Sequence, residues 1–330
     1  CSMKHFYSLI LLIGLLLQNC IISLFPDGGG IGTELKEHTL SGSGKDKILV
    51  LSIDGEISGE ESSGFFGIRT ESMVSMIKNS LLKALKDEDI KGIILKIDSP
   101  GGTVTASDIL YREILEFKKK KKIPVIALYM GLAASGGYYV SMASDKIIAH
   151  PTTVTGSIGV IMTSFNYKQG LDKIGFVDDS ITSGPNKSIG SGSHVRTEEQ
   201  QMILQSIIDD LYSKFFAVVK KGRPSLSEDQ LRPLCDGRVY TAEQAKNVGL
   251  IDEIGYFEDS INTLKNQDNF NPTDKGSEPR IIVYSPAKND LKNIYQVQSR
   301  AEKSEVLETL QTFSILQKGP RFLYLWTGRN

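Results

Sequence analysis

The sequence predicts an α/β fold with a mainly parallel sheet, and three observations support this class. Between residues 46 and 165, short apolar runs alternate with segments whose apolar residues recur at the helical period. Two turns that contain glycine, 98–104 and 131–137, directly follow two of the apolar runs. A long amphipathic pattern covers 197–223. Strands that alternate with helices build parallel sheets, and functional residues gather at the carboxyl ends of such strands.

The hydrophobic periodicity places the elements in chain order. We expect strands at 47–58, 91–99, 124–130, 146–150 and 157–165, and helices at 72–87 and 105–119. Thr197 is placed to cap the long amphipathic helix, and Gly249 to end a short helix. Beyond them we expect a loop over 266–279, a strand at 280–284, a helix over about 291–316 and an aromatic end, RFLYLW.

Composition excludes several classes of protein. A formal net charge of -1 gives no support for nucleic-acid binding, which usually needs a strongly basic face. The three cysteines, Cys1, Cys20 and Cys235, are too few and too scattered for a disulfide framework or a metal site. The four histidines form no close-spaced pair with one another, which argues against a zinc hydrolase. We therefore expect neither a metal nor another cofactor.

The N-terminal region carries a segment long enough to cross a membrane. Residues 6–25 contain no charged side chain, and about 20 residues of helix span a bilayer core. Lys4 lies just before this segment, and a positive charge there favours an N-terminus on the cytoplasmic side and translocation of the rest of the chain across the membrane. An uncleaved, single-pass signal anchor is the preferred interpretation. The alternatives are a cleaved signal, although no A-x-A site follows, or lipidation at Cys20.

Ser135 stands where a predicted strand meets small residues, in the sequence GLAASGGYY. One interpretation is a turn of small residues between a buried strand and a buried helix. The other is a nucleophile at a helix N-terminus, where free N–H groups favour a developing oxyanion and glycines let a substrate approach the backbone. Such a serine needs a base. His150, His194 and Lys187 are the candidates, and the residue types alone leave the choice open.

Three motifs together resemble one family. They are IDSPGGTV, AASGGYYVSMASDKIIAHPTTVTGSIGV and TSGPNKSIGS, within about residues 46–260. In this order and spacing they resemble the signal peptide peptidase A (protease IV) family, serine peptidases of the ClpP/crotonase superfold. The resemblance implies Ser135 as nucleophile, Lys187 as general base and Ser157 as the residue that holds the lysine amine. It also implies an oxyanion hole from the N–H groups of Gly102 and, as our candidate, Gly136.

The resemblance further implies an assembly, a location and a substrate class. Related proteins of this length form a homo-oligomeric ring in which one protomer's serine meets its neighbour's lysine. The expected protein is a single-pass protein of the bacterial inner membrane with an extracytoplasmic catalytic domain. Its expected partners are apolar peptides, chiefly cleaved signal peptides, with small or aliphatic residues next to the scissile bond. No nucleic acid, metal or nucleotide is implied.

On this basis the chain divides into an anchor (1–25), a linker (26–45), a ClpP/crotonase-like peptidase domain (46–265) and a C-terminal tail (266–330). Two features depart from the family pattern. The segment after Lys187 is rich in serine and glycine, and the tail is longer than the family core requires. The tail could be structural or could dock in the active-site groove. A crotonase-type acyl-CoA enzyme and a catalytically silent, ring-forming scaffold are the rival functions.

Overall fold

The computed structural model describes residues 35–63, 69–274, 276–285, 291–297 and 321–328. The strands in chain order are β1 (Lys36–Ser41), β2 (Lys47–Asp54), β3 (Ser62–Ser63), β4 (Arg69–Thr70), β5 (Ile90–Ser99), β6 (Gly101–Thr103), β7 (Val125–Ala134), β8 (Lys146–Ala149), β9 (Val154–Gly156), β10 (Ile161–Thr163), β11 (Val239–Thr241), β12 (Glu253–Ile254), β13 (Arg280–Ser285) and β14 (Arg321–Leu325). The helices are α1 (Met73–Lys86), α2 (Val104–Lys121), α3 (Gly136–Ser141), α4 (Lys168–Lys173), α5 (Glu198–Gly222), α6 (Glu228–Leu231), α7 (Ala242–Asn247) and α8 (Phe257–Lys265).

The main sheet has the strand order β1-β13-β2-β5-β7-β8-β12, and β9 pairs with the end of β7. Along this order, each pair of neighbouring strands from β13 through β2, β5, β7 and β8 to β12 is parallel, and β7 is also parallel to β9. The pairings β1–β13 and β9–β11 are antiparallel. The α/β class with a mainly parallel sheet is therefore confirmed.

The central strands are apolar on both faces because each face is covered by other elements. Leu49, Leu51 and Ile53 of β2 pack into a cluster with α1, α2 and α3. Ile48 and Val50 of the same strand pack on the opposite side, with Leu264 of α8. This alternation along β2 places the sheet between two layers of core. The helix α3 follows the carboxyl end of β7 after a single residue, Ser135.

Local capping sets where the helices begin. The Ser72 hydroxyl accepts from the Ser75 N–H ahead of α1, and Thr103 does the same for α2. The predicted cap of α5 is confirmed: Thr197 and Gln200 form a reciprocal capping box. The predicted helices at 72–87, 105–119 and 197–223 thus agree with α1, α2 and α5 to within a few residues.

The strand predicted over 157–165 forms only in its middle, where β10 covers Ile161–Thr163. Residues 157–160 are not in a strand, and β9, which precedes them, belongs to a different sheet from β10. Gly156 and Ser157 have φ values of 92° and 50°, and an extended strand cannot continue through positive φ. The chain turns here toward β10, which joins β14 and β6 in a second, three-stranded sheet.

Two segments outside the predicted peptidase domain take part in the sheets. Residues 36–41 form β1, within the stretch predicted as a linker, and β13 of the tail lies between β1 and β2. Of the helix predicted over about 291–316, the described part holds a 3₁₀ helix, Ile294–Gln296, so the prediction is wrong there. The remainder of that helix lies outside the described residues.

The predicted membrane anchor, 6–25, also lies outside the described residues. Within the ranges that are described, no helix combines the length and the apolar character needed to cross a membrane.

Candidate active site

Ser135 lies at the junction of β7 and α3, and its backbone is strained. Its φ and ψ are 52° and -111°, values that residues other than glycine rarely adopt. The Ser135 N–H donates to the Gly156 carbonyl at 2.8 Å, and its carbonyl accepts from the Tyr139 N–H at 2.8 Å. Strain that neighbouring structure holds in place is typical of functional sites. The residue is 1% exposed, and its hydroxyl makes no hydrogen bond within the described ranges.

The two glycine turns meet beside Ser135. A Cβ built on Gly136 would lie 3.1 Å from the Gly102 nitrogen and 3.1 Å from the Gly101 Cα. A Cβ on Gly101 would lie 2.6 Å from the Gly136 nitrogen. The turns after β5 and β7 therefore touch backbone to backbone, which side chains at these positions would prevent. The structure brings Gly102 and Gly136, the predicted oxyanion donors, to one place next to the predicted nucleophile.

Ser157 is placed on the other side of Ser135. In the parallel pairing of β7 with β9, Ala134 is opposite Gly156, so the next residues of the two strands, Ser135 and Ser157, are neighbours. Ser157 is buried, also has a positive φ of 50°, and donates its N–H to the Arg238 carbonyl at 2.7 Å. Two strained serines thus stand side by side at the carboxyl ends of adjacent strands.

Lys187 is not brought to this group within the chain. It lies in a turn between α4 and α5, is exposed to solvent, and donates its backbone N–H to the Gly184 carbonyl. Among the described residues, its amine makes neither a hydrogen bond nor an ion pair. The buried Ser135 hydroxyl and the exposed Lys187 amine are therefore not hydrogen-bonded to each other in the single chain.

Asp98 is a neighbour of the site that the sequence reasoning missed. Its carboxylate accepts from the Leu132 N–H at 2.9 Å, at the point where the β5–β7 pairing shifts register just before Ser135. Partial removal from water, together with the nearby charge of Asp54, raises the pKa of Asp98. The available signal was an acidic residue directly before the SPGG turn.

The other missed element is β14, which contains most of the RFLYLW end. It pairs antiparallel with β6 on one side and with β10 on the other. The Tyr324 carbonyl oxygen lies against Gly101, 2.0 Å from the position a Cβ would take there. The Trp326 N–H donates to the Pro100 carbonyl at 2.8 Å. The tail strand thus runs directly over the glycine turn of the candidate site.

Comparisons with family models give two matches. Residues 117–271 match the model of peptidase family S49, and residues 66–155 match the model of Clp protease. Between them the matched ranges contain β7, α3, β9 and the segment with Lys187. The Clp protease match agrees with the ClpP-like fold expected from the motifs.

Individual relatives extend these matches along the chain. A putative signal peptide peptidase SppA of Enterococcus faecium is 36% identical over 271 residues, which cover 77% of this chain and 78% of that protein. A putative protease of Methanocaldococcus jannaschii is 33% identical, covering 87% and 88% respectively. Protease 4 of Salmonella typhi is 34% identical over 65% of this chain, which spans 33% of that longer protein.

Proposed function

Starting from the premise that the chain belongs to peptidase family S49, the serine peptidases of the signal peptide peptidase A and protease IV type, we propose that it is an endopeptidase with a Ser135/Lys187 dyad. The uncharged Lys187 amine removes the proton of the Ser135 hydroxyl, which attacks a peptide carbonyl. The Gly102 and Gly136 N–H groups stabilise the oxyanion. When the oxyanion collapses, the peptide C–N bond breaks, the leaving amine takes the proton from Lys187, and the acyl group stays on Ser135 as an ester. Water then attacks this ester with Lys187 as base again, and the proton returns to the Ser135 oxygen as the acid product leaves.

One observation carries this proposal: the strained, buried Ser135 belongs to one of two touching glycine turns and is a neighbour of Ser157 in the adjacent strand pairing. A turn of small residues with no chemical role would not need a positive φ at serine, because glycine adopts that conformation without strain. The contact of the two turns supports a pair of N–H donors aimed at one point. In this proposal the Ser157 hydroxyl holds the amine that arrives beside Ser135.

The amine is proposed to come from a second copy of the chain, in a homo-oligomeric ring. The arm, defined here as residues 161–202, contains Lys187 and most of the exposed large apolar side chains of the described chain. They are Ile161, Phe165, Tyr167, Ile174, Phe176, Val177, Ile181, Val195 and Met202. Exposed apolar surface of this extent is typical of a protein interface. An arm docked on a neighbouring protomer would bury these side chains and carry Lys187 away from its own Ser135.

The proposed substrates are apolar peptides, including cleaved signal peptides. A membrane anchor at residues 6–25, with the catalytic domain outside the cytoplasm of a bacterial cell, would place the site where such peptides remain after preprotein processing.

The test is to produce Ser135→Ala and Lys187→Ala separately and together in one assembly, and to measure cleavage of an apolar fluorogenic peptide. Each single variant should lose at least about 1,000-fold in kcat. If neighbouring protomers share each site, random mixing restores about a quarter of the sites, because one neighbour supplies the serine and the other the lysine. Lys173→Ala, another exposed lysine of the arm, is the matched control and should retain activity.

The outcomes separate the rival functions. Retained peptide cleavage in either single variant would eliminate the dyad. Inactive mixtures made from two correctly assembled variants would place both groups in one protomer. Turnover of an acyl-CoA that survives both substitutions would favour the crotonase-type enzyme. An intact protein that cleaves nothing would favour the scaffold.

A further inference from the structure

The strand β7 carries a bulge of two extra residues shortly before the proposed nucleophile. The parallel pairing of β5 with β7 shifts register between Ile97 and Ser99. Their partners on β7 are Tyr129 and Ala133, so one residue of β5 faces three residues of β7. A bulge bends its strand, and bulges next to active sites re-aim the side chain that follows.

The bulge is also the place where β7 exchanges one neighbouring strand for another. Residues 126–129 of β7 pair with β8, and residues 132–134 pair with β9. Between the two pairings the backbone groups of β7 lack a regular ladder, and polar backbone groups removed from water need partners. Side chains of other segments therefore have to complete the hydrogen bonds at this point.

Asp98 supplies the acceptor on the β5 side of the bulge. Its carboxylate accepts from the Leu132 N–H at 2.9 Å, so a side chain takes the place of a strand carbonyl. A Cβ on Gly131 would lie 3.5 Å from the same carboxylate oxygen, which is ordinary packing distance. Leu132 is three residues before Ser135, so this hydrogen bond restrains the backbone close to the nucleophile.

Two buried threonines supply donors on the β9 side. The Thr153 hydroxyl donates to the Met130 carbonyl. The Thr155 hydroxyl donates to the Ala133 carbonyl at 2.7 Å, and Thr155 is fully buried. Together with Asp98, these two threonines form what we call the bulge clamp, which holds one N–H group and two carbonyl groups in and beside the bulge.

The backbone of Ser135 depends on support of this kind. A positive φ at serine, here 52°, persists only where the surrounding structure holds it. The Ser135 N–H donates to the Gly156 carbonyl at 2.8 Å, which continues the β7–β9 pairing past the bulge. If the bulge relaxed toward a regular strand, Ser135 would move relative to the Gly102 turn. A misplacement of about 1 Å can cost about 100-fold in rate.

We propose that Asp98, Thr153 and Thr155 are positioning residues, which hold the end of β7 in the bulged form that aims Ser135 at the substrate carbonyl. They act through the backbone of β7 and take no part in the chemical step. The inference rests on the proposed peptidase function. Because the clamp acts on the nucleophile and not on peptide binding, its loss lowers kcat and leaves KM unchanged.

The first experiment compares Asp98→Ala with Asp98→Asn in the assembled, full-length protein, with an apolar fluorogenic peptide as substrate. Titration with a fluorophosphonate counts the active serines. Asp98→Ala should lower kcat per active serine by about 10- to 100-fold and change KM by less than about twofold. Asp98→Asn keeps an acceptor oxygen and should recover most of this loss. Asp89→Ala, which removes a carboxylate just before the other end of β5, is the matched control and should match the parent.

This design separates positioning from a merely structural role. If Asp98 only stabilises the fold, Asp98→Ala will lower the number of active serines and leave kcat for each of them unchanged. That result would overturn the inference. An Asp98→Asn protein as slow as Asp98→Ala would also overturn it, because the acceptor oxygen would then not be what matters.

The second experiment removes a different bond of the clamp. Thr155→Val keeps the shape of the side chain without the hydroxyl, whereas Thr155→Ser keeps the hydroxyl. We expect Thr155→Val to slow fluorophosphonate labelling of Ser135 by about tenfold, and Thr155→Ser to recover most of the rate. Labelling by a small reagent does not depend on peptide binding, so it reports on the nucleophile itself. If neither Asp98→Ala nor Thr155→Val folds, the clamp serves folding alone and the inference fails.

The clamp and the proposed function fail in different ways. Cleavage and labelling that require Ser135 but are as fast in Asp98→Ala and Thr155→Val as in the parent would overturn the clamp and leave the peptidase intact. Cleavage that persists in Ser135→Ala would instead remove the proposed function on which the inference rests.

Discussion

Gly102 is the position where one added methyl group tests the proposed reaction geometry most directly. A Cβ at Gly102 would lie 1.9 Å from the Ile57 carbonyl oxygen and 2.6 Å from its carbon and nitrogen. Real Cβ atoms do not approach other atoms closer than 3.0 Å. Since the obstacle is backbone, β6 would have to move by about 1 Å, and a displacement of that size can cost about 100-fold in rate.

We therefore expect Gly102→Ala to lower kcat by about 100-fold, the lower end of the loss for one oxyanion donor. Overpacking should also cost about 1–3 kcal/mol of unfolding free energy, or roughly 2–10 °C in Tm. Peptide hydrolysis under saturating substrate and a thermal melt measure the two effects. Gly59→Ala is the matched control, because nothing lies within 4 Å of its Cβ position and its activity should stay near that of the parent.

A folded Gly102→Ala protein whose kcat is within about threefold of the parent value would refute the reasoning, since less than about 1 kcal/mol of barrier would then depend on this backbone. Such a result would mean that β6 can shift freely, or that its N–H groups do not face the reacting carbonyl.

Three further predictions concern a glycine next to Ser135, a buried ion pair and a helix cap. Gly136→Ala should lower kcat because its Cβ would lie 2.5 Å from the Ser107 hydroxyl, and Ser107→Gly in the same protein should restore part of the loss. Burial would raise the pKa of Asp252, but the charge of Arg223 and its hydrogen bond to the carboxylate lower this pKa overall. Asp252→Asn should therefore reduce the free energy of unfolding by about 3 kcal/mol at pH 7. The loss should become smaller below about pH 4, where the carboxylate of the parent protein is also protonated. Thr197→Ala should cost about 1 kcal/mol of unfolding free energy by loss of the α5 cap, measured by denaturant titration.

Matched variants decide these predictions. Asp210→Asn breaks an exposed i,i+4 pair with Lys214 and should change stability by no more than about 0.5 kcal/mol. If the Asp252→Asn and parent proteins lose stability equally between pH 5 and pH 3, the ionised carboxylate does not stabilise the fold. Thr197→Ser keeps the hydroxyl and should match the parent, and an equal loss in both variants would argue against capping.

Much of the site could be predicted because its signals are local. The alternation of apolar runs and helical periods fixes β5, β7 and the helices that follow them, since each pattern concerns neighbouring residues. The two turns that contain Ser135, Gly102 and Gly136 were found because small residues at strand ends mark turns, and turns at the carboxyl edge of one sheet come together. The roles predicted for these residues came from the resemblance to the family. The helix cap at Thr197 could also be predicted, because a capping box involves residues within one turn of helix.

The remaining features depend on contacts between distant parts of the chain. Only the middle of the predicted strand 157–165 forms, because Gly156 and Ser157 have positive φ values that the hydrophobic pattern does not reveal. The hydrogen bond from the Leu132 N–H to Asp98 forms where the β5–β7 pairing shifts register, and a register shift cannot be predicted from hydrophobic periodicity. The exposure of Lys187 and the burial of Ser135 likewise depend on the path of the chain in three dimensions, which no local pattern predicts.

The sequence by itself determined the α/β class, the order of most elements and the position of the two glycine turns, because these follow from short-range periodicity and from turn chemistry. Only the tertiary structure decided that β14 pairs with β6 and packs the Tyr324 ring against Tyr139 and Phe215. Such a pairing joins residues more than 200 positions apart, and its choice rests on strand edges and cavities that exist only after the rest of the chain has folded.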